Sequence, residues 1–418
     1  MINRMLIAIG LILVIALIWL ATTGHERIAA YRNFALYQIQ SRWWQVAGEP
    51  QTGPPGGLGG MIQNEAGNPI ANAWVVVARW DGEKYPGRTN ADGHYQIDGI
   101  PSGKYHPLTS APGYGETILG RNGVIIQSGE TATADGVLTP KTPRTISPGT
   151  NLALGDPTPV SCAAPLEASA LRREVTFNSD GQPNLPARLY LPANATPDAS
   201  YPLLLIIYPG PVDSWQCASV PLADAGYAVM GLGPHYALDL QPDVDELERI
   251  LDFAAAGLIP NVDQTRMAAM GGSYSGLHVQ HLLRRGRNDL KAAVLLGAPT
   301  DIFAMRKHLE DGTFIPPFGL DKVLVALGLP DRQPERYWTN SGAYHVRPDF
   351  PPILIIHSRD DEVVPIDQSD LLVAALAEAG VPHQAHYFDG ASHYLLSPGG
   401  EALEIYDLTL SFLADHLQ

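Results

Sequence analysis

Five uninterrupted apolar runs in the second half of the chain constrain its fold more than any other feature. Stretches of helical character separate them, such as the segment from Val244 to Gly257. A strand that is apolar on both faces must be buried on both faces, and helices cover the two faces of a parallel sheet in α/β proteins. The pattern therefore predicts an α/β domain with a mostly parallel sheet flanked by helices. The runs are Leu203–Tyr208, Tyr227–Leu232, Met267–Met270, Ala292–Gly297 and Pro352–His357.

A turn of small residues follows the third run, and a predicted helix begins directly after it. The turn reads Gly271-Gly272-Ser273-Tyr274-Ser275-Gly276. A nucleophilic serine on a tight strand-to-helix turn needs small residues two positions before and two positions after it. Ser273 meets this condition with Gly271 and Ser275, although the second of these is not the usual glycine. Ser275 is the weaker alternative, because Leu277 would then crowd the turn.

A serine hydroxyl needs a base to become nucleophilic, and the base needs a carboxylate to orient it. Asp361 follows the last apolar run, at the carboxyl edge of the predicted sheet, and His393 lies in a loop after one more short strand. The order Ser273, Asp361, His393 is that of an α/β-hydrolase. The sequence therefore predicts an enzyme whose catalytic residues are these three and which needs no cofactor and no metal ion.

The segment from about Arg172 to the end resembles the catalytic domain of the prolyl oligopeptidase family of serine peptidases and, more distantly, the dienelactone-hydrolase-like esterases. The resemblance implies that the acid is Asp361 rather than Asp360, and that His357, His383 and His386 are strand or surface residues. The family phrase around the acid has a glycine where this chain has a serine. The matched positions are Gly271 to Tyr274 and Gly276 in the turn, His357, Asp361, Val364 and Pro365 around the acid, and Ser392 and His393 in the histidine loop.

Two donors are predicted for the oxyanion that forms when the serine attacks a carbonyl. The backbone N–H of Tyr274, the residue after the nucleophile, supplies one. The dipeptidyl-peptidase branch of the family uses the tyrosine hydroxyl of a Tyr-x-Gly-Pro motif, which Tyr208–Pro211 matches, so the resemblance implies Tyr208 as the second donor. Alternatively, Tyr208 is a core residue and the donor is a backbone N–H of Gly210 or Val212, because the two prolines of this segment have none.

The resemblance leaves the substrate open. Peptidases of the family usually carry an amino-terminal β-propeller that selects peptides, and this chain has neither the length nor the repeats for one. The predicted substrate is a small ester or peptide. The segment Asp301–Phe350 is predicted to cover the site as a short cap, and its aromatic residues either line a substrate pocket or pack the cap onto the domain. These residues are Phe303, Phe314, Phe318, Tyr337 and Trp338.

Residues 60–140 alternate short β-rich runs with turn signals, which predicts a small all-β sandwich in front of the α/β-hydrolase domain, assigned to residues 166–418. The phrases around Ala73–Arg79, Asp92-Gly93 and Gly103–Tyr105 resemble the carboxypeptidase regulatory-like domain. No catalytic residue is implied there. The sequence Asn90-x-Asp92-Gly93 is interpreted as a hairpin turn, because the downstream glutamate of a calcium loop is missing.

Two linkers complete the predicted organisation. Residues 24–59 are predicted as a juxtamembrane helix followed by a flexible joint, since Gln51–Gly60 is rich in glycine and proline. The helix either lies at a membrane interface through its aromatic residues or docks on the sandwich. Residues 141–165 contain repeated prolines and are predicted as an extended linker with little regular structure.

An uncharged apolar run of 17 residues, Met5–Ala21, predicts a transmembrane helix within residues 1–23. A cleaved signal peptide is the less favoured alternative, because such peptides have a shorter apolar core and a clearer cleavage site. The short polar tail before the run favours an anchor that leaves the rest of the chain outside the cytoplasm. The sequence does not decide whether Cys162 and Cys217 form a disulfide. It does not decide the oligomeric state either.

The formal net charge of −16 disfavours nucleic acid as a partner, because an acidic protein repels phosphate backbones. The sequence thus predicts a membrane-anchored serine hydrolase. The alternative from another functional class is a noncatalytic binding or scaffold protein built on the same domains. The presence of all three catalytic residue types in the expected order favours the enzyme.

Overall fold

The computed structural model describes residues 19, 23, 26–47, 54–141, 152–177, 185–287, 289–317, 320–393, 395 and 401–417. The chain divides into two compact units. The first contains Met1–Thr142 together with Ile302–Thr339, and the second contains Pro143–Asp301 and Asn340–Gln418. A segment that interrupts the α/β-hydrolase sequence therefore belongs structurally with the amino-terminal unit.

The regular elements are numbered in chain order. The helices are α1 (Glu26–Ala47), α2 (Val220–Asp224), α3 (Gln241–Ala255), α4 (Tyr274–Arg284), α5 (Ile302–Asp311), α6 (Asp321–Ala326), α7 (Pro334–Thr339), α8 (Asp367–Ala379) and α9 (Glu401–Leu417). The strands of the first unit are β1 (Pro55–Asn64), β2 (Trp74–Ala78), β3 (Lys84–Arg88), β4 (His94–Pro101), β5 (Gly103–Tyr105), β6 (Leu108–Ser110), β7 (Thr117–Ile118), β8 (Val124–Ile126), β9 (Thr131–Thr133) and β10 (Gly136–Leu138). Those of the second unit are β11 (Leu152–Leu154), β12 (Thr158–Cys162), β13 (Ala168–Phe177), β14 (Ala187–Pro192), β15 (Tyr201–Ile207), β16 (Ala228–Leu232), β17 (Val262–Gly272), β18 (Leu290–Leu296), β19 (Ile353–Ser358) and β20 (His383–Phe388).

The first unit contains the predicted β-rich region. Strand β1 pairs with β4, β9 and β10, and a second sheet has the order β3-β2-β6-β7. Alternate residues of β4 are buried, as expected for strands that have one face on a core and one face in water. The two sheets contribute to one apolar core, whose members include Leu58, Ile62, Val75, Val77 and Ile97.

The predicted flexible joint is wrong over its second half, because β1 begins at Pro55, inside the glycine-rich sequence. Glycine is required there by close backbone contacts. A Cβ on Gly56 would lie 2.1 Å from the carbonyl oxygen of Gln127, and a Cβ on Gly60 would lie 2.2 Å from that of Ala134. A glycine can indicate either a flexible segment or a position in a strand where another backbone approaches closely. Here Gly56 and Gly60 are of the second kind.

The segment predicted as a cap packs within the first unit. Phe303, Tyr337 and Trp338 are fully buried. The Trp338 ring meets the ring of Trp74 of β2 edge-on at 5.7 Å, and the Phe303 and Tyr337 rings lie 5.3 Å apart. These three aromatic side chains therefore pack in the sandwich-containing unit rather than on the hydrolase sheet, while Phe318 lies outside the described residues.

The second unit is built on one mixed sheet with the strand order β11-β13-β14-β16-β15-β17-β18-β19-β20, and β12 pairs with β13. Strands β15 to β20 are parallel to their neighbours in this order, and β14 is antiparallel to β16. The five predicted apolar runs contribute to β15 to β19. Strands β15, β16, β18 and β19 are almost entirely buried, and β17 is continuously buried over residues 267–269. This is the predicted α/β-hydrolase-like architecture.

The predicted proline-rich linker is wrong for its described part. Strands β11 and β12 pair antiparallel with β13, and Pro159 of β12 lies opposite Leu171. Proline is tolerated here because β12 is an edge strand, which can lack a ladder hydrogen bond on its outer side. A disulfide joins Cys162, at the end of β12, to Cys217, with Cα atoms 5.8 Å apart.

None of the helices in the described part of the chain is both long enough and apolar enough to cross a membrane. The apolar run Met5–Ala21 lies, apart from Trp19, outside the described residues. The predicted anchor therefore stays a prediction.

Candidate active site

Ser273 lies on a sharp turn between β17 and α4. Its backbone has φ 53° and ψ −131°, a conformation that non-glycine residues rarely adopt and that is held only where the surroundings enforce it. The surroundings are tight. A Cβ on Gly271 would lie 2.6 Å from the carbonyl oxygen of Ser275, and one on Gly276 would lie 2.3 Å from Cβ of Ala298. Gly271, predicted as the small residue before the serine, and Gly276, which matched the family motif, are therefore needed for the turn to close.

The neighbouring serine of the turn has a different environment. Ser275 is fully buried, and its hydroxyl donates to the carbonyl of Gly272 at 2.7 Å and accepts from the N–H of the same residue at 3.1 Å. Both interactions are local to the turn. Ser273, in contrast, is partly exposed.

The structure brings the three predicted catalytic side chains together. Nε2 of His393 lies 2.7 Å from Oγ of Ser273, and Nδ1 of His393 lies 2.7 Å from Oδ2 of Asp361. With its N–H at Nδ1 donated to the carboxylate, the imidazole has an accepting Nε2 toward the hydroxyl. The backbone N–H of His393 donates to Glu362 at 3.0 Å, which ties the histidine loop to the loop that carries the acid.

Asp361 is held as a carboxylate. Its Oδ1 accepts the backbone N–H groups of Val363 and Val364, both at 2.8 Å. Burial alone would raise the pKa of Asp361, but the hydrogen bonds from His357 and His393 and the backbone N–H of Val364 outweigh it and hold the pKa well below its ordinary value. The charge that stabilises a protonated His393 is therefore present at neutral pH.

His357 contacts the site, although the sequence interpretation gave it no role there. It is fully buried, and Nε2 lies 3.0 Å from both Oδ2 of Asp361 and the carbonyl oxygen of Val364. Since a carbonyl only accepts, Nε2 carries the hydrogen, and Nδ1 accepts from the hydroxyl of Ser369 at 2.7 Å. The match of His357 to the family phrase was the available signal.

Gly297, directly after β18, makes room for Asp361 and His393. It has φ 51°, in the left-handed region. A Cβ at this position would lie 3.2 Å from Oδ2 of Asp361 and 3.7 Å from Cε1 of His393. In the sequence Gly297 is only the last residue of an apolar run, so this requirement is found in the structure alone.

The structure places the Tyr208 hydroxyl on the side of β15 that faces β16, away from Ser273. The side chain is buried, and its hydroxyl lies 2.5 Å from Oγ of Ser219. It also lies over Gly231 of β16, where a Cβ would be 2.0 Å from the hydroxyl oxygen. Strand β15 separates β16 from β17, and Ser273 follows β17. The position of Tyr208 thus agrees with the second interpretation, in which it is a core residue. Burial raises the pKa of its hydroxyl well above the ordinary value.

Tyr274 begins α4, directly after Ser273. Its hydroxyl donates to the carbonyl of Ala237 at 2.7 Å. Its ring stacks on Tyr236 at 6.2 Å and meets His278 edge-on at 5.0 Å. These contacts hold the start of the helix against the loop after β16.

An acid–histidine cluster supports the same loop. Asp243 of α3 is buried, accepts the backbone N–H of His235 at 3.0 Å and contacts Nδ1 of that residue at 2.7 Å. Its other contact is Nε2 of His278, at 3.3 Å. Burial would raise the pKa of Asp243, but the hydrogen bonds from the two histidines lower it. Within the described ranges, no group of three or more His, Cys, Asp or Glu residues is arranged to hold a metal ion.

Comparison with known families gives two matches. Residues 241–418 match the prolyl oligopeptidase family, and residues 57–139 match the carboxypeptidase regulatory-like domain. Both resemblances predicted from the sequence are thereby confirmed. The second match begins within β1, in agreement with the start of the sandwich in the structure.

Among curated proteins, the chain is 26% identical over 228 residues to an uncharacterised peptidase, YuxL, of Bacillus subtilis, a match that covers 50% of this chain and 34% of that protein. It is also 26% identical over 228 residues to a probable dipeptidyl-peptidase 5 of Aspergillus clavatus, covering 50% of this chain and 30% of that protein. The chain spans about a third of the length of these relatives.

Solved structures with similar folds include peptidases and esterases. A puromycin-hydrolyzing peptidase of Mycobacterium tuberculosis has a TM-score of 0.46 at 16% identity, covering 80% of this chain and 65% of that chain. A truncated carbohydrate esterase from gut microbiota has a TM-score of 0.45 at 20% identity, covering 55% of this chain and 90% of that chain.

Proposed function

We propose that this chain, a serine hydrolase with a prolyl oligopeptidase family domain, cleaves an ester or a peptide bond of a small substrate through an acyl-enzyme intermediate. The observation that carries the proposal is the continuous chain of contacts from Ser273 through His393 to Asp361, with both steps at 2.7 Å. The strained backbone of Ser273 adds support, because such strain is typical of a nucleophile held at the tip of a turn.

In the acylation half of the reaction, Oγ of Ser273 attacks the substrate carbonyl carbon and its proton passes to Nε2 of His393. The carbonyl oxygen becomes an oxyanion. When the tetrahedral intermediate collapses, the bond to the leaving alcohol or amine breaks and His393 returns the proton to that group. Asp361 keeps Nδ1 of the histidine protonated and stabilises the imidazolium that forms.

In the deacylation half, a water molecule takes the place of the leaving group. His393 accepts a proton from the water as its oxygen attacks the acyl carbon, and the bond to Oγ of Ser273 then breaks. The proton returns to Oγ, and the acid is released. With water as the second substrate, the bonds formed and broken and the protons moved therefore balance in both halves of the reaction.

The oxyanion is proposed to be stabilised by two backbone N–H groups. One belongs to Tyr274, at the start of α4. The other comes from the segment after β15, which neighbours β17 in the sheet. Because proline has no N–H, only Gly210 and Val212 can donate within residues 209–212. In this proposal a backbone N–H, and not the buried Tyr208 hydroxyl, is the second oxyanion donor.

A fluorophosphonate probe tests the proposal, because it labels only an activated serine. The full chain should be labelled, Ser273→Ala should lose all labelling, and Ser275→Ala is the matched control that should keep it. Circular dichroism and thermal melting establish that both variants are folded. Labelling that survives in Ser273→Ala would refute the assigned nucleophile.

The relatives named as peptidases and dipeptidyl peptidases favour a peptide bond as one substrate class, but the triad serves esters equally. A panel of p-nitrophenyl acyl esters and aminoacyl p-nitroanilides separates the two. Turnover of anilides that exceeds turnover of esters at equal concentration would assign the peptidase activity.

We further propose that the chain is anchored in a membrane by Met5–Ala21, with the catalytic domain outside the cytoplasm. The length of the run and the Cys162–Cys217 bridge support this proposal, since disulfides persist in oxidising compartments. Protease added to intact cells should remove the hydrolase domain. Complete protection of this domain, with digestion after lysis, would place it in the cytoplasm.

A further inference from the structure

Helix α1 exposes its apolar side chains to solvent. Tyr31, Leu36, Ile39, Trp43 and Val46 have exposed fractions of 77%, 56%, 67%, 66% and 85%. A surface helix of a soluble domain ordinarily shows water its polar face. An exposed apolar face of this kind marks a site of contact with another molecule or with a membrane.

The exposed residues lie on one side of the helix. From Tyr31 onward, the exposed positions whose side chains are described are 31, 35, 36, 39, 42, 43, 46 and 47. At about 100° per residue they fall within an arc of about 160°. Among these exposed residues Arg42 carries the charge and the others are apolar or aromatic, and the half-buried Arg32 lies within the same arc. The face is therefore continuous along four turns.

The opposite side of α1 is already occupied within its own unit. The Trp44 ring lies 4.2 Å from the ring of Trp80, and Nδ2 of Asn33 donates to the carbonyl of Ala326 at 2.9 Å. The guanidinium of Arg306 lies 5.0 Å above the ring of Tyr37. These contacts join α1 to the sandwich and to the segment Ile302–Thr339, so the exposed face is not the one that holds the helix in the fold.

Chain connectivity limits how far α1 can lie from a bilayer. The apolar run ends at Ala21 and α1 begins at Glu26, and five residues span at most about 18 Å. Nη1 of Arg32 donates to the carbonyl of Thr23 at 3.2 Å, which ties this described residue before the helix to α1. If the run spans a bilayer, the exposed face begins within reach of its headgroups.

The composition of the helix fits that location. Tryptophan and tyrosine favour the boundary between headgroups and acyl chains, and Trp43 and Tyr31 lie on the exposed face. The sequence of α1 holds three arginines and one glutamate, within a chain whose formal net charge is −16. Anionic headgroups therefore attract this helix while they repel the chain as a whole.

We propose that α1 lies flat on a lipid bilayer, with its exposed face inserted among the headgroups, and thereby holds the sandwich-containing unit at the membrane surface. This surface is distinct from the hydrolase site. The proposal rests on the proposed anchor for its location, and the experiment reports on the anchor separately.

The test uses the full chain with a single labelled thiol. Both natural cysteines are in the disulfide, so Ile39→Cys introduces the free thiol to which an environment-sensitive nitrobenzoxadiazole dye is attached. Ile125→Cys is the matched control, because Ile125 of β8 has an exposed fraction of 65% against 67% for Ile39. Leu36→Cys provides a second site on the same face. The proteins are reconstituted in vesicles of phosphatidylcholine and phosphatidylglycerol.

Flotation of the vesicles reports on the anchor, and the dye reports on α1. We expect the dye at positions 39 and 36 to shift to shorter wavelength and to be quenched by doxyl-labelled lipid, while the dye at position 125 stays aqueous. Three results would overturn the proposal. If the protein floats with the vesicles but the dye at positions 39 and 36 keeps the emission of a dye in water, the anchor is supported and the contact of α1 with lipid is rejected. A spectral shift that depends on protein concentration, without quenching by lipid, assigns the face to a second copy of the chain. Failure to float rejects both proposals.

Discussion

Nε2 of His357 donates its hydrogen toward Oδ2 of Asp361, 3.0 Å away, and both residues are buried. That same oxygen receives the hydrogen bond from His393. Two histidines thus hold one carboxylate oxygen from different sides. His357 does not reach the reacting atoms, so we expect it to act by positioning Asp361.

His357→Ala should lower kcat by about 10- to 100-fold with little change in KM, because a hydrogen bond to a charged group contributes about 1.5–3 kcal/mol. Steady-state kinetics on an acyl ester measures both constants. His357→Gln keeps a donor near Asp361 and should recover part of the lost kcat. The control is His383→Ala, because the ring of His383 contacts the Val381 carbonyl and not Asp361. Equal kcat in the alanine variants at 357 and 383 would contradict the positioning role.

Tyr208→Phe should leave kcat nearly unchanged and lower the melting temperature. The substitution removes the hydroxyl that meets Oγ of buried Ser219, and an unsatisfied buried polar group costs about 1–3 kcal/mol of unfolding free energy. Differential scanning calorimetry measures the loss of stability. A fall in kcat of about 10²–10³ with an unchanged melting temperature is the signature of a lost oxyanion donor, and it would return Tyr208 to that role.

Gly297→Ala should lower both stability and kcat. The new Cβ would lie 3.2 Å from Oδ2 of Asp361 and would displace the carboxylate from His393. Left-handed backbone also costs an L-residue about 1–2 kcal/mol, whatever the space around it. Gly380→Ala is the matched control, because Gly380 has φ 70° with no heavy atom within 4 Å of its added Cβ. It should lose similar stability and keep its kcat; similar kcat losses in both variants would contradict the site effect.

The charge of Asp361 should contribute to stability above pH about 4. Because the pKa of Asp361 is lowered by folding, the contribution is fully present above the ordinary value of about 4 and is lost as pH falls through the lowered folded pKa. The difference in melting temperature between the natural chain and Asp361→Asn should therefore be largest near pH 7 and shrink below pH 4. A difference that stays constant from pH 7 to pH 3 would contradict this linkage.

The sequence was sufficient for the features that depend on local chemistry. A run such as Leu203–Tyr208 predicts a buried strand, because its length is that of a strand and short of a typical helix, and Pro209 and Gly210 follow it. The turn around Ser273 was predictable for the same reason, since small residues at fixed offsets are what its sharp backbone requires. The order Ser273, Asp361, His393 was predictable as well, whereas the 2.7 Å contacts among the three side chains are found only in the structure.

The sequence was insufficient wherever a residue's role depends on which backbone or side chain approaches it. Gly56 and Gly60 indicated a flexible joint, but the close carbonyls of Gln127 and Ala134 make them part of a strand. Tyr208 matched a family motif, but its hydroxyl points to Ser219. In each case the deciding partner is distant in the sequence.

The sequence by itself thus determined the apolar strands, the tight turn around Ser273 and the residue types of the candidate site, because periodicity, residue size and titration chemistry are properties of a short segment. Only the tertiary structure decided that Ile302–Thr339 packs with the sandwich, that His357 holds Asp361 and that Gly297 faces the same carboxylate. The physical reason is that burial and hydrogen-bond partners are set by contacts between distant segments. Those contacts depend on how the whole chain packs, and a local pattern does not encode them.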